Sequence, residues 1–221
     1  MGINPIGMKH LLHCRKYGDF GKTIMLGRQR IMKHEPTFNG RRYSNWQTED
    51  MLMGAFGSTD VDSLDYSDFE GANIIHDLNI IIEDENLLGQ YDTVIDFGTT
   101  EHVFNVSNAL LNASKICKKG GQIIHHLPAN QSCNHGFWQI SPEVFQSLYT
   151  EYMGYKDTEI FMCDMKTGNY WEPAKPAKKR IEIVSENTVY IACRTVLNSD
   201  PLNIDHSNVQ QYDYTKSWET S

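Results

Sequence analysis

The sequence lacks three features that would place it in familiar classes. Its 221 residues contain no apolar run near the roughly 18 residues of a membrane-spanning helix, and the first residues have no long apolar core. Its five cysteines include no C-x-x-C pair, which argues against zinc or disulfides. Basic residues number 20 against 28 acidic ones, so the net charge is −8. These absences predict a soluble, cytoplasmic protein without a membrane or nucleic-acid partner.

The chain does contain enough apolar residues for one core. Hydrophobic residues make up 40% of the sequence, which predicts a single domain over residues 1–197. The polar stretch KHEPTFNGRRYSNW, residues 33–46, predicts a lid-like insertion. Residues 198–221 are polar, and we expect a loose tail there. The basic run PAKPAKKR, residues 173–180, is either a solvated loop or a clamp for an anionic substrate.

Short apolar runs alternate with helical patterns along the chain. Seven runs predict strands: KTIML, VDSLDYS, ANIIHDLN, YDTVIDFG, GQIIHHLP (halted by Pro128), TEIFMC and TVYIACRTV. Helices are predicted for QTEDMLMGAF, for the segment after an N-cap at Ser107 with Gly120 as its stop, and for PEVFQSLYTEY after Ser141. This alternation favours an α/β fold: a Rossmann-like, doubly wound, mostly parallel seven-stranded sheet with helices on both faces.

Four residues occupy the carboxyl ends of predicted strands: Gly27, Asp65, Asp77 and Asp96. The carboxyl ends of parallel strands meet at one edge of a sheet, and ligands of such sheets bind there. We therefore expect these residues to converge on one rim.

The acids on this rim are suited to a nucleoside. An acid after the second strand of a nucleotide-binding sheet accepts hydrogen bonds from ribose hydroxyls, so Asp65 is the candidate and Asp62 the alternative. Asp77 could accept from an adenine amino group while Leu78 covers the ring. For each aspartate taken alone, a turn or a helix cap is the simpler interpretation.

One long segment resembles a known family. YDTVIDFGTTEHVFN, residues 91–105, and the following ALLNASKICKKGGQIIHHLP are similar to the middle of class I S-adenosylmethionine-dependent methyltransferases. In that family an F/Y-D-x-V strand and an x-E-H-V corner precede a helix, a K-x-G-G turn and the next strand. PANQSCNHGFWQISPEVF resembles a bacterial subgroup, and the similarity extends over residues 60–149. It implies methyl transfer from S-adenosylmethionine to a small molecule, with S-adenosylhomocysteine as product.

The resemblance implies that the cofactor is held by the rim residues Gly27, Asp65, Asp77, Leu78, Asp96 and Gly98. One departure stands out, because the family's G-x-G-x-G loop after the first strand is replaced by MLGRQRI, with Gly27 alone. Gly27 still permits close approach of a ligand. Arg28 either pairs with the carboxylate of S-adenosylmethionine or is a surface cation.

Histidines are the predicted proton acceptors for such a reaction. The protein must align the acceptor behind the methyl group and remove a proton, and imidazole suits this because its unperturbed pKa is near 6.5. His102 and His135 are the candidates, although each could be a packing residue, and Glu101 ranks lower, either orienting His102 or contacting the acceptor. His125 and His126 are adjacent in a strand and point to opposite faces.

The acceptor is predicted to be anionic or sugar-like. Arg41, Arg42 and the basic residues 178–180 could bind negative charge, and Phe137 and Trp138 could shape the pocket. An intermediate of surface-polysaccharide biosynthesis has this character.

Two other functions stay open. A degenerate methyltransferase fold that acts as a scaffold or binds S-adenosylmethionine without catalysis is consistent with the missing glycine loop. A metal-dependent hydrolase would use His102, His135 and a carboxylate. No H-x-x-x-H, H-E-x-x-H or H-x-H spacing is present, so no metal ligand is predicted.

Overall fold

The computed structural model describes residues 2–171 and 185–211. Its strands are β1 (Gly2–Ile3), β2 (Gly21–Leu26), β3 (Arg30–Ile31), β4 (Thr37–Phe38), β5 (Arg41–Arg42), β6 (Ser58–Asp65), β7 (Ile74–Ile75), β8 (Tyr91–Asp96), β9 (Cys117–Asn130), β10 (Tyr155–Asp164), β11 (Tyr170–Trp171) and β12 (Val189–Leu197). Its α-helices are α1 (Pro5–Cys14), α2 (Thr48–Phe56), α3 (Val106–Ile116) and α4 (Pro142–Leu148), and 3₁₀ turns occupy Arg15–Tyr17, Thr100–His102 and Pro201–Asn203. None of these helices has the length and apolar character that a membrane crossing requires.

Eight strands form the central sheet, in the order β11-β10-β12-β9-β8-β2-β6-β7. All pairs from β9 to β7 are parallel, whereas β12 is antiparallel to both of its neighbours. The seven predicted strands are all present, and the additional one is the two-residue β11 at an edge. The Rossmann-like, mostly parallel sheet is therefore confirmed. The chain builds outward from β2 to β7 and then returns to place β8 on the other side of β2, and such a reversal leaves a crevice at the carboxyl ends of the strands.

The alternation of side chains along the strands divides the core into two layers. Ile24 and Leu26 of β2 pack on the face that α3 and α4 cover, whereas Met25 packs on the face that α1 and α2 cover. All three side chains are fully buried. Helices on both faces, as predicted, follow from this pattern.

The boundaries of α3 differ from the prediction. Its N-cap is Asn105, whose Oδ1 accepts from Asn108 N at 3.3 Å, and not Ser107. The helix ends at Ile116 and the chain passes directly into β9. Gly120 has the expected left-handed conformation, with φ 87°, but it lies at an irregularity within β9 rather than at the helix end.

The end of β9 was also predicted wrongly, because Pro128 does not stop the strand. β9 continues to Asn130, and its pairing with β12 shifts register between Val189 and Tyr190, opposite this proline. A proline cannot donate to the ladder, and such a shift accommodates it. Ser141 does cap α4, accepting from Glu143 N at 3.3 Å.

The start of the chain forms elements that the sequence did not indicate. β1 pairs in parallel with β3, and Asn4 caps α1 by accepting from Ile6 N and Gly7 N, both at 2.9 Å. Residues 33–46 contain the β4–β5 pair, and Tyr43, which follows β5, is buried. Their role as a lid stays a prediction. In the C-terminal segment Ile204 is buried, whereas residues 212–221 and the basic run at 173–180 lie outside the described residues.

Candidate active site

A cleft of about 1000 Å³ lies beyond the carboxyl ends of β8 and β9. Phe97 and Gly98, which follow β8, line it together with His126 of β9. Its other sides come from the start of the chain, from the segment around β3, and from residues 165–168 and 186–188. The cleft therefore lies where an open α/β sheet binds its ligand, close to the reversal of strand order.

Two of the predicted catalytic residues, His102 and His135, line this cleft. Their ring centroids are 5.2 Å apart, and both side chains are exposed. The third, Glu101, is fully buried beside them, with its Oε1 atom 3.9 Å from His102 Nε2 and 3.8 Å from His135 Nε2. These separations are longer than hydrogen bonds. The fold thus brings the three side chains together, and their roles stay predictions.

Main-chain contacts of the loop after β9 hold His135 near Glu101. Phe137 N donates to Glu101 O at 2.7 Å. Gly136 has a φ of 81°, and a Cβ atom there would lie only 2.7 Å from the same oxygen. Glycine is therefore required for this close approach.

The carboxyl group of Glu101 is isolated. Neither Oε1 nor Oε2 has a hydrogen-bond partner among the described residues. Burial, and then the nearby charge of Asp96, raise the pKa of Glu101 to about 8. Burial and the neighbouring His135 lower the pKa of His102, so that its imidazole is neutral at neutral pH.

Asp96, at the end of β8, is equally buried but fully bonded. Its Oδ1 accepts from Thr99 N and Thr100 N, both at 3.2 Å. Its Oδ2 accepts from the Thr100 hydroxyl at 2.6 Å and pairs with His125 Nδ1 at 2.8 Å. These bonds fix the turn that carries Glu101. A cofactor-binding role for Asp96 stays a prediction, but the observed bonds are those of a positioning residue.

The network continues from His125 to Tyr149. The Tyr149 hydroxyl lies 2.6 Å from His125 Nε2, and burial raises the pKa of Tyr149 well above its usual range. In the tautomer whose Nδ1–H donates to Asp96, Nε2 accepts from this hydroxyl. His125 therefore links the end of β8 to the chain just after α4.

His126 points to the opposite face, as the sequence predicts. It packs against Phe97 and His10, with ring centroids 5.2 Å and 6.2 Å away. Its Nε2 has no hydrogen-bond partner in residues 2–171 and 185–211. Burial lowers the pKa of both His126 and His10 to about 3, so both are neutral.

The residues predicted to hold the cofactor follow strands at the same edge of the sheet. Gly27 follows β2, Asp65 ends β6 and Asp77 lies two residues beyond β7. Of the whole predicted set, Gly98 alone lines the cleft. The predicted adenosine site and the cleft therefore occupy different stretches of one edge.

Asp65 has the hydrogen-bonding capacity that a ribose requires. It is half-buried, its Oδ2 accepts from Arg28 N at 3.3 Å, and its Oδ1 accepts from Tyr66 N at 2.7 Å. A carboxylate offers about four lone-pair sites, so each oxygen can accept again. The alternative, Asp62, instead accepts from the Tyr91 hydroxyl at 2.8 Å.

Three other predicted cofactor residues have partners within the protein. Arg28 Nε donates to Glu49 Oε1 at 2.7 Å. Asp77 Oδ1 accepts from Asn79 N at 2.9 Å, and the hydrogen bonds of this turn lower the pKa of Asp77. Leu78 is only 5% exposed and packs in the core. Their roles at the cofactor stay predictions.

Cations dominate the charged lining of the cleft. The charged residues there are Lys9, Arg30, Lys33, Lys166 and Glu186. No ion pair within the described ranges involves any of the four cations. Sequence reasoning missed all four, because they come from separate segments and no local pattern marks them.

The arginines that the sequence proposed for the acceptor are paired elsewhere. Arg41 Nη2 lies 2.8 Å from Asp50 Oδ2, and Arg42 pairs with Glu35. Phe137 and Trp138 form an exposed aromatic cluster with Phe104, with ring centroids 5.4 Å and 6.2 Å from it. None of these residues lines the cleft.

The protein is similar to solved structures of methyltransferases. No protein-family model and no curated protein matches the sequence. Phosphoethanolamine N-methyltransferase 2 of Haemonchus contortus, in complex with phosphomonomethylethanolamine and S-adenosylhomocysteine, is 11% identical with a TM-score of 0.52, over 87% of this chain and 53% of that chain. The same protein in complex with S-adenosyl-L-methionine gives 11% identity and a TM-score of 0.51, over 87% and 53%. A SAM-dependent methyltransferase from Archaeoglobus fulgidus is 16% identical with a TM-score of 0.47, over 85% and 93%.

This chain spans about half the length of the Haemonchus protein. The structural similarity shows that the chain has the fold of class I S-adenosylmethionine-dependent methyltransferases.

Proposed function

We propose that this protein transfers a methyl group from S-adenosylmethionine to an anionic small molecule. The observation that carries the proposal is the cleft of about 1000 Å³ at the carboxyl ends of β8 and β9, in a methyltransferase fold. The exposed imidazoles of His102 and His135 line it, together with four cations that form no ion pair within the described residues. This concentration of reactive and charged groups supports an enzyme over a non-catalytic scaffold.

The cofactor fits the rim by the chemistry of its donors and acceptors. Asp65 would accept the ribose hydroxyls, and Gly98, which has a φ of 89° and lines the cleft, leaves room for a ligand beside the end of β8. S-adenosylmethionine supplies a methyl group on a positively charged sulfur. A lone pair of the acceptor attacks the methyl carbon, and the sulfur is the leaving group. Arg28 donates from Nε to Glu49, so binding of the cofactor's carboxylate would fall to the remaining N–H groups of its guanidinium.

The chain's own residues would bind and orient the acceptor. The cations at positions 9, 30, 33 and 166 would attract a phosphate or carboxylate into the cleft. A sugar phosphate or sugar acid of surface-polysaccharide biosynthesis belongs to this class of acceptor. The reactive group of the acceptor would face Glu101, His102 and His135, and the sequence predicts that one of the imidazoles removes its proton.

Cofactor binding is tested by calorimetric titration with S-adenosylmethionine and with S-adenosylhomocysteine. We expect micromolar affinity, and Asp65→Ala should weaken it about tenfold, because hydrogen bonds to a charged group are lost. The matched control is Asp60→Ala, an exposed acid of the same strand. A folded protein that binds neither compound would show that the fold serves as a scaffold.

Turnover is tested with labelled S-adenosylmethionine and a metabolite extract. His102→Ala and His135→Ala should keep their affinity for S-adenosylmethionine and lose most of the labelled product. Lys33→Glu should raise KM for the labelled acceptor severalfold, whereas Lys16→Glu, exposed and outside the cleft, should not. Undiminished turnover in both histidine variants would remove these assignments.

A further inference from the structure

The cluster of Glu101, His102 and His135 brings one carboxylate and two imidazoles to a single point. One carboxylate oxygen of Glu101 and one imidazole nitrogen of each histidine all lie within 4.8 Å of one another. Glu101 and His102 are neighbours in a 3₁₀ turn, and the loop after β9 brings His135 from 34 positions further along the chain. Two imidazole nitrogens and one carboxylate oxygen form the ligand set of His₂Glu zinc sites and of many iron and manganese sites.

The burial of Glu101 is the second observation that points to a cation. Its carboxylate is fully buried, and no donor in the described part of the chain reaches either oxygen. A buried carboxyl group without a hydrogen-bond partner is uncommon in folded proteins, and the cost of burying its charged form falls when a cation binds to it. Among the described residues, the two imidazoles are the possible cations within 4.0 Å of Glu101 Oε1.

The distances are close to those of a coordinated ion. Bonds of about 2.0–2.2 Å in a tetrahedral arrangement place ligand atoms about 3.3–3.6 Å apart. The observed separations of 3.8 Å and 3.9 Å are only slightly longer, so a small movement of the side chains would bring the atoms into bonding positions. Both histidines are exposed and can turn toward the buried carboxylate, whose position the main-chain bond from Phe137 fixes.

We propose that Glu101, His102 and His135 bind a divalent transition-metal ion at the edge of the cleft. Three protein ligands leave at least one coordination position for an exogenous group. That position faces the cleft, because both histidines line it. The protein is thus a metal-binding protein, and this statement is independent of its reaction.

The role of the ion rests on the proposed function. Its charge favours the deprotonated form of an acceptor hydroxyl, whose proton passes to water. The oxygen lone pair then forms the bond to the methyl carbon while the carbon–sulfur bond breaks, and its electron pair stays on the sulfur as a neutral thioether. The ion then replaces an imidazole general base, since both imidazoles are ligands.

The test is a calorimetric titration of the full chain with Zn²⁺ after treatment with a chelator, in the absence of any cofactor. All samples carry Cys133→Ser, because Cys133 is an exposed thiol in the same loop. We expect one ion per chain. Glu101→Gln and His135→Ala should each weaken binding at least tenfold, whereas His76→Ala, at the far edge of the sheet beyond β7, should not.

Circular dichroism and thermal melting confirm that each variant is folded before it is titrated. A folded parent that binds no stoichiometric Zn²⁺, or that binds it as well after Glu101→Gln and His135→Ala, overturns the proposal. Titration of the same samples with S-adenosylmethionine tests the proposed function separately, so the two can fail independently. Turnover that a chelator abolishes and added metal restores would support the role of the ion, and turnover unaffected by the chelator would refute that role.

Discussion

The two buried carboxylates beyond β8 lie in opposite surroundings. Asp96 accepts four hydrogen bonds from nearby groups of the protein. Glu101, five positions later, receives none from the described residues, although it is as deeply buried. A bonded carboxylate stabilises the fold, whereas an unbonded one is tolerated only where something else will meet it. The comparison supports a positioning role for Asp96 and agrees with the proposal that Glu101 binds a ligand.

The largest expected effect is that of Asp96→Asn. The free energy of unfolding should fall by about 3 kcal/mol, because an amide nitrogen cannot accept from His125 and Thr100 and their buried donors lose a partner. Urea unfolding at pH 7.5 measures this. The control is Asp92→Asn in the same strand, whose exposed pair with Lys118 is 3.0 Å long and should contribute less than about 1 kcal/mol. Equal losses in the two variants would break the comparison.

His125 and His126 differ in the same way as the two carboxyl groups. His125 is hydrogen-bonded to the carboxylate of Asp96, whereas His126 Nε2 has no partner among the described residues. The pKa of His126 and that of His10 fall from 6.5 to about 3 on folding. Below pH 6.5 these two histidines are therefore protonated in the unfolded chain but stay neutral in the folded chain. The free energy of unfolding consequently decreases as the pH falls from 6.5 toward 3. At pH 5 each of the two histidines should lower the free energy of unfolding by about 2 kcal/mol relative to pH 7.5.

His10→Gln isolates half of this effect. Gln can still donate to Cys193 O, which lies 3.3 Å from His10 Nε2. The variant should lose about 2 kcal/mol less than the wild type between pH 7.5 and pH 5 in urea unfolding. His76→Gln serves as the control and should leave the pH dependence unchanged. An unaltered acid sensitivity of His10→Gln would show that His10 is already charged or not buried in solution.

No loss of stability is expected for Glu101→Gln. No hydrogen bond from a described residue is lost, and at pH 7.5 the free energy of unfolding should rise, because burial raises the pKa of Glu101 from 4.5 to about 8 and makes this carboxyl costly above pH 4.5, whereas the amide carries no charge. The urea titration used for Asp96→Asn measures it under identical conditions. A loss as large as that of Asp96→Asn would make Glu101 a structural residue and would contradict its assignment to a ligand.

The sequence predicted the elements of the sheet because their signals are local. The apolar runs YDTVIDFG and GQIIHHLP each became a strand, and the prediction that His125 and His126 face opposite sides needed only the period of a strand. The end of β9 was missed because Pro128 is tolerated beside a register shift that only the pairing with β12 reveals. β1 is two residues long and exists because β3 lies beside it.

The site was predictable only in its separate parts. His102 and His135 stood out as histidines near strand ends, but their approach to Glu101 depends on the path of a loop through Gly136. Likewise, the position of Asp96 at a strand end was readable, whereas the four donors that occupy it come from distant and nearby segments alike. The sequence indicates at which strand end a side chain lies, but its contacts depend on the tertiary structure.

Gly2 allows two segments that line the cleft to approach each other closely. A Cβ atom on this residue would lie 2.6 Å from Arg30 O and would collide with Met32 Sδ. Gly2, Arg30 and Met32 all line the cleft, so the first strand can close this side only because it has no side chain at that position. Adding one methyl group would force these two segments apart and disturb one side of the cleft. The shape of the cleft therefore depends on a residue far in sequence from the histidines and the buried glutamate.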